Sequence, residues 1–239
     1  MLVLTLAVAL LAPTAHAGER LFAYSYGYGS VPKGGIELET YTTAHIVDGA
    51  PPKWEHQAEL EYGISNRLES GLYLVETSTG GGPLAFGGFK GRLKYTFGSE
   101  GVLPVDSALY LEYIGSPDFA THGVEAKVIL GKDVKRFHSA LNVEYTVTFG
   151  EEHPKHEIEP SLGLGFKVGK PAFLGGEAGG EVEQEGGAWE GPKGWAGPTL
   201  HLAGEGGRFW WTLAALAPIG KEAAEDHGVM VRSLAAINL

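Results

Sequence analysis

Along most of the chain, apolar and polar residues alternate with a period of two. From Trp54 one set reads Trp54, His56, Ala58, Leu60, Tyr62, and the other Glu55, Gln57, Glu59, Glu61. From Phe137 the sets are Phe137, Leu141, Val143, Tyr145, Val147, Phe149 and His138, Ala140, Asn142, Glu144, Thr146, Thr148. Ile158, Leu162, Leu164, Phe166 oppose Glu157, Glu159, Ser161, Lys167, and Phe89, Leu93, Tyr95, Phe97 oppose Lys90, Arg92, Lys94, Thr96. Successive side chains of a strand point to opposite faces, so this alternation predicts strands with one apolar and one polar face. After residue 18 no segment shows a helical apolar period.

About twelve such segments follow one another, near 35–47, 54–63, 68–76, 87–97, 105–114, 121–131, 137–149, 156–168, 172–183, 196–204, 208–218 and 228–239. Each approaches the roughly 9–11 residues with which a tilted strand crosses a bilayer. Ile64–Arg67, Lys132–Arg136, Gly169–Pro171 and Glu205–Gly207 read as short turns, and Thr77–Phe86, Gln184–Trp195 and Ile219–His227 as longer loops. The predicted fold class is all-β: a closed antiparallel transmembrane β-barrel of about twelve strands with its longer loops outside the cell. Pro160 and Pro198 interrupt predicted strands, where local bulges are expected.

A soluble barrel would turn the apolar set inward, so alternation alone does not assign the faces. Three features favour a bilayer. Residues 1–12 form an apolar run followed by Ala15-His16-Ala17, which reads as a cleaved signal peptide over 1–17, although no basic residue precedes the run. Aromatics gather near strand ends, with Tyr62, Phe97, Phe137, Phe166, Phe209 and Trp211 by the short turns. Trp54, Phe89, Tyr113 and Phe149 lie by the longer loops, which suggests two girdles. The last segment alternates to its end at Leu239. The exported chain is therefore expected to be an 18–239 barrel, with 18–34 as a periplasmic lead-in.

Composition removes several alternatives. The 18 basic residues face 29 acidic ones, a formal charge of −11, so a nucleic-acid partner is not expected. There is no cysteine, which excludes disulfides, thiolate metal sites and Cys nucleophiles. The 37 glycines follow no collagen-like period, and 44% apolar residues exclude a disordered chain.

The segment Glu61-Tyr62-Gly63-Ile64-Ser65-Asn66-Arg67-Leu68-Glu69 resembles the strand–turn–strand signature of a family of outer-membrane barrels. That family is usually labelled as belonging to the MetA pathway of phenol degradation. The opening Leu21–Gly35 stretch, with Tyr24, Tyr26 and Val31-Pro32-Lys33-Gly34, is similar to the family's start. The resemblance implies an outer-membrane channel or transporter role. It carries over no ligand residue.

With the apolar set toward lipid, the polar set lines the lumen. Its acids are Glu37, Glu39, Glu55, Glu59, Glu61, Glu69, Asp106, Glu112, Glu125, Glu144, Glu157, Glu159, Glu177, Glu181 and Glu183. Its bases are Lys90, Arg92, Lys94, Lys127, Lys167 and Arg232. Excess acid in a narrow pore attracts cations and repels anions. The blander possibility is that these charges neutralise one another. Arginine at Glu159 or Asn142 is expected to be tolerated better than at Leu162 or Val143.

Ser161, His138 and His201 would share the lumen, but no nucleophile motif surrounds them, so an outer-membrane lipid hydrolase is a remote alternative. Glu151, Glu152, His153, His156 and Glu157 could hold a divalent ion, yet read better as a solvated loop. No cofactor is expected. The expected partners are outer-membrane lipid, the barrel-assembly machinery during insertion, and a small-molecule solute passing through a channel. A plugged structural or adhesion barrel is the main alternative.

Overall fold

A computed structural model describes residues 19–78, 80–98, 101–150 and 152–239. The expected signal peptide, 1–17, lies outside the described residues. Twelve strands run in chain order: β1 Ile36–Ile46, β2 Lys53–Gly63, β3 Leu68–Ser78, β4 Ala85–Phe97, β5 Asp106–Gly115 and β6 His122–Val134. They continue as β7 Phe137–Phe149, β8 Lys155–Lys167, β9 Ala172–Glu185, β10 Ala188–Ala203, β11 Phe209–Ile219 and β12 Val229–Asn238. Each pairs antiparallel with its sequence neighbour, and β1 pairs with β12, from Glu37 opposite Asn238 to Ile46 opposite Val229. The sheet is thereby closed, and no edge strand remains.

The exterior carries the apolar set. Leu60, Leu72, Leu93, Leu111, Val128, Val143 and Leu162 are all exposed, while their polar neighbours Glu59, Glu61, Arg92, Glu112, Lys127 and Asn142 are buried inside. Tyr62, Phe97, Phe166 and Phe209 ring the end where β1 begins, here called proximal, and Trp54, Tyr113 and Phe149 ring the distal end. This is the surface of a transmembrane barrel.

Three connections differ from expectation. The Gln184–Trp195 stretch is no loop: β9 and β10 continue as a hairpin through Gly186-Gly187. Two facing strands could extend there because glycines at the tip adopt the left-handed backbone a two-residue turn requires. The proximal end also has a longer connection, 98–105, so loop length alone does not separate the two ends. A short helix, α1 (Lys221–Asp226), sits at the distal end within the Ile219–His227 loop.

Pro198 keeps its register opposite Gly176, and Glu159 and Pro160 drop out of the β8–β9 ladder without shifting it. The register shifts fall instead at Val75/Glu76 and Glu190/Lys193. Both prolines face outward, where the missing N–H costs one ladder bond and no rearrangement.

The lead-in also departs from expectation. Rather than lying outside the barrel, residues 20–31 run inside it. Phe22, Ala23, Ser25, Tyr28 and Val31 are buried. Trp210, Leu216, Met230 and Leu234 of β11 and β12 turn inward and form a core with Ala23 and Tyr41, against which Tyr24 packs. The lumen therefore holds an apolar core as well as polar groups. Gly163 and Gly131 lack a Cβ where the rings of Phe22 and Tyr28 press on the wall: an added Cβ would meet them at 2.6 and 2.7 Å.

Val143→Arg and Leu162→Arg place a charge on the apolar exterior, which costs up to about 2–4 kcal/mol near mid-depth. Either should reduce the fraction of protein that resists SDS until heated. Glu159→Arg should not, because it introduces a cation opposite Glu144, Glu157 and Glu181. Equal losses from both faces would overturn the inside–outside assignment.

Candidate functional site in the barrel lumen

The lead-in enters and leaves at the proximal end, with its apex at Tyr24–Tyr26. Arg20 lies beside Thr212 near the start of β11, whose hydroxyl donates to the Arg20 carbonyl at 2.5 Å. The other arm ends at Gly34, whose N–H donates to the Gly63 carbonyl at 2.8 Å. Between these points the wall's polar residues satisfy the backbone of the segment. Glu177 accepts from the N–H groups of Ala23, Tyr24 and Ser25 at 2.7, 2.8 and 2.8 Å, and from the Thr199 hydroxyl at 2.6 Å. Asn142 accepts from Tyr26 N–H at 2.6 Å and donates to its carbonyl at 3.0 Å. Glu69 accepts from Val31 N–H at 2.6 Å, and Thr96 donates to the Tyr28 carbonyl at 2.7 Å. A segment without ladder partners needs such acceptors to lie buried. Asn142 is thus an anchor, and arginine there would remove both of its bonds to Tyr26.

Most predicted lumen charges are paired. Arg92 bonds Glu59 at 2.6 Å, Glu69 at 2.7 Å and Glu61, and Lys94 reaches Glu69 at 2.9 Å. Lys90 meets Glu112 at 3.1 Å, and Lys127 bridges Glu125 and Glu144 at 3.0 and 2.7 Å. Asp106 meets Lys132 at 3.3 Å. At the distal rim Lys155 bridges Glu157 and Glu183 at 2.9 and 2.7 Å. Lys193 contacts Glu183 and Asp226 at 2.8 Å each and Glu181 at 3.6 Å. Its hydrogen bond holds the Asp226 carboxyl below the ordinary aspartate range. Lys167 is exposed at the proximal mouth, beside a cavity of about 820 Å³ that also meets His201 and Glu19.

Among the described residues Glu55 accepts from Gln57 alone, at 2.6 Å. Among the described residues Glu55, Glu159 and Arg232 have no ion-pair partner; Arg232 instead lies over the Tyr24 and Tyr41 rings at 4.7 and 5.3 Å. All three line one cavity of about 320 Å³ on the distal side of the lead-in. Tyr24 and Tyr26 form its floor, and Tyr73, Tyr110 and Trp195 add aromatic wall. Glu37 and Glu39 lie deeper, fully buried near the proximal end.

The residues weighed for catalysis have separate partners. Ser161 bonds Ser25 at 3.2 Å, His201 pairs with Thr212 at 2.8 Å, and His138 meets Asp133 at 2.8 Å. The loop cluster does not assemble either: His156 bonds Tyr145 on the exterior at 2.7 Å, while Glu157 turns inward to Lys155. Glu151 lies outside the described residues. Sequence reasoning missed Lys155, Lys193 and the lumenal lead-in. The first two continue the inward alternation of β8 and β10, a signal hidden because Lys193 fell in an expected loop.

No protein-family profile matches the chain, and no curated protein matches it in sequence. In fold, the chain is similar to the COG4313 outer membrane channel from Pseudomonas putida F1. That match has a TM-score of 0.66 at 9% identity, covering 89% of this chain and 98% of the other. It is also similar to the NanC porin (0.61, 10%, 84% and 100%). A third likeness is to the KdgM porin in complex with disordered oligogalacturonate (0.56, 7%, 84% and 99%). These likenesses establish a barrel of the outer-membrane type.

Glu177→Ala leaves three backbone N–H groups of the lead-in without their acceptor, at about 1–3 kcal/mol for each unsatisfied group. The lead-in should become cleavable by added protease while the barrel keeps its heat-dependent gel shift. Unchanged protection would mean that Glu177 does not hold the segment.

Proposed function

We propose that this protein is an outer-membrane channel or passive transporter for small solutes in a Gram-negative bacterium. Its distal end faces the outside and its proximal end the periplasm. The observation that carries this assignment is the cavity above the lead-in. Its lining includes Glu55, Glu159 and Arg232, which have no ion-pair partner among the described residues, and the barrel wall does not close beneath it. The floor is a non-strand segment held mainly by hydrogen bonds, so passage requires that segment to shift rather than the sheet to open. Outer-membrane channels and porins share the fold. The likeness of Glu61–Glu69 to the MetA-pathway barrels supports the same transporter-type role. Cations or neutral molecules suit the cavity best, because Glu55 and Glu159 face it without a basic partner. A plugged structural barrel is the second reading, favoured by the number of hydrogen bonds that hold the lead-in.

Planar-bilayer recording separates the two. Deleting residues 19–33 should raise conductance several-fold over the full chain, with potassium preferred over chloride most strongly at low salt, where screening is weakest. Glu55→Gln with Glu159→Gln should reduce that preference. Silence from both proteins would favour the plugged barrel, and chloride preference would overturn the cation assignment.

A further inference from the structure

Two unpaired charges of opposite sign face the distal cavity from one side of the barrel. Glu55 of β2 and Arg232 of β12 stand at the same height, because both are register partners of Thr43 on the intervening β1. Thr43 is buried inside, and its two partners line the cavity. Neighbouring strands lie about 4.7–4.9 Å apart, so the two charged residues are separated along the wall by roughly 9–10 Å.

Neither charge is matched by an ion pair among the described residues. Gln57 donates to one oxygen of Glu55 at 2.6 Å, and the Arg232 guanidinium lies over the Tyr24 and Tyr41 rings at 4.7 and 5.3 Å. The Arg232 Nε is buried without a hydrogen-bond partner. The other bases of the cavity are engaged: Lys90 with Glu112, and Lys127 with Glu125 and Glu144. Glu159 on β8 is six strands from β2 and four from β12 around the ring. Between the Arg232 side and the opposite wall, the Tyr24 and Trp195 rings meet at 5.0 Å and give the cavity an apolar surface.

This pair of charges selects against simple ions. A lone cation drawn to Glu55 is repelled by Arg232, and a lone anion drawn to Arg232 is repelled by Glu55. A guest carrying both charges satisfies both residues. Two charge-assisted hydrogen bonds of about 2.7–2.9 Å, one at either end, leave room in the wall spacing for the ammonium and carboxylate of one small molecule. The cavity, about 320 Å³, stands at the lower end of small-molecule sites, which suits a solute of amino-acid size.

We propose that the distal cavity binds a zwitterionic α-amino acid, its ammonium donating to Glu55 and its carboxylate accepting from Arg232, with its side chain against Tyr24 and Trp195. The site rests on the reading of this cavity as the place where a solute enters, and it names the class of that solute. A zwitterion is neutral overall, so the acidic field of the lumen does not exclude it.

Equilibrium dialysis with the purified full chain in detergent tests the site without an open pore. The probes are leucine and phenylalanine, their methyl esters, which keep only the cation, and their N-acetyl derivatives, which keep only the anion. The measurement is made at mildly acidic pH, where the ester amines are protonated. A zwitterion should saturate at one per barrel and bind at least tenfold more tightly than either derivative, about the value of one hydrogen bond to a charged group. Arg232→Gln should lower its affinity to that of the ester, and Glu55→Gln to that of the N-acetyl compound. Absence of saturable binding by both amino acids overturns the site. Equal affinity for an amino acid and its derivatives overturns it too, and wild type alone reveals that if a variant fails to fold. Unchanged discrimination in both folded variants would remove Glu55 and Arg232 from the site. A protein that binds but never conducts loses the channel reading and keeps the site, whereas one that conducts but does not bind loses the site alone.

Discussion

Closure of the sheet governs everything else in this molecule. Once β1 pairs with β12, every strand has a neighbour on each side and the backbone's hydrogen bonds are spent within the wall. Only then can side chains sort into two environments with no edge between them. Alternation does the sorting: Leu60 and Leu72 turn out, Glu59 and Glu61 turn in, and a slip of one residue would reverse every position on a strand. The antiparallel ladder and the charged interior are thus one constraint seen from two sides.

A polar interior of this diameter must still be filled or wetted. Here the proximal half is filled by the chain's own lead-in, and the wall's composition follows from that. Glu177 and Asn142 serve as acceptors for a backbone that has no ladder of its own. Trp210, Leu216 and Leu234 face inward because Ala23 and Tyr41 meet them there. Gly163 and Gly131 of the wall mark the places where lead-in rings approach the backbone. Charge density falls into separate groups: Arg92 and Lys94 proximally, Lys127 at mid-height, Lys155 and Lys193 at the distal rim.

Above the lead-in the geometry changes from filled to open. The cavity there is rimmed by aromatic rings, by the paired Lys90 and Lys127 groups, and by Glu55, Glu159 and Arg232 without ion-pair partners among the described residues. Below, Glu59, Glu61 and Glu69 are buried and engaged with Arg92 and Lys94. The lumen is therefore divided along its axis by the lead-in, with Tyr24 and Tyr26 at the floor of the distal cavity.

The period-two pattern by itself determined the strands, their number and which residues share a face, because a strand's two faces are fixed by backbone geometry alone; which face points outward was decided by the closed barrel. It also marked polar residues now found buried, among them Glu37, Glu59, Arg92 and Glu177. Loop lengths were less legible: Gln184–Trp195 looked like a loop because its glycines and Pro192 weaken the alternation, yet the β9–β10 hairpin runs through it. Partnerships were legible only to the level of neighbouring strands. Which acid meets Arg92, and that Glu37 meets no base, depends on registers across three strands. The lead-in's place was decided only by tertiary structure. Leu21–Gly35 carries no alternation that distinguishes a segment outside the barrel from one inside. Its position is set by acceptors on strands more than a hundred residues away, and these converge only when the barrel closes.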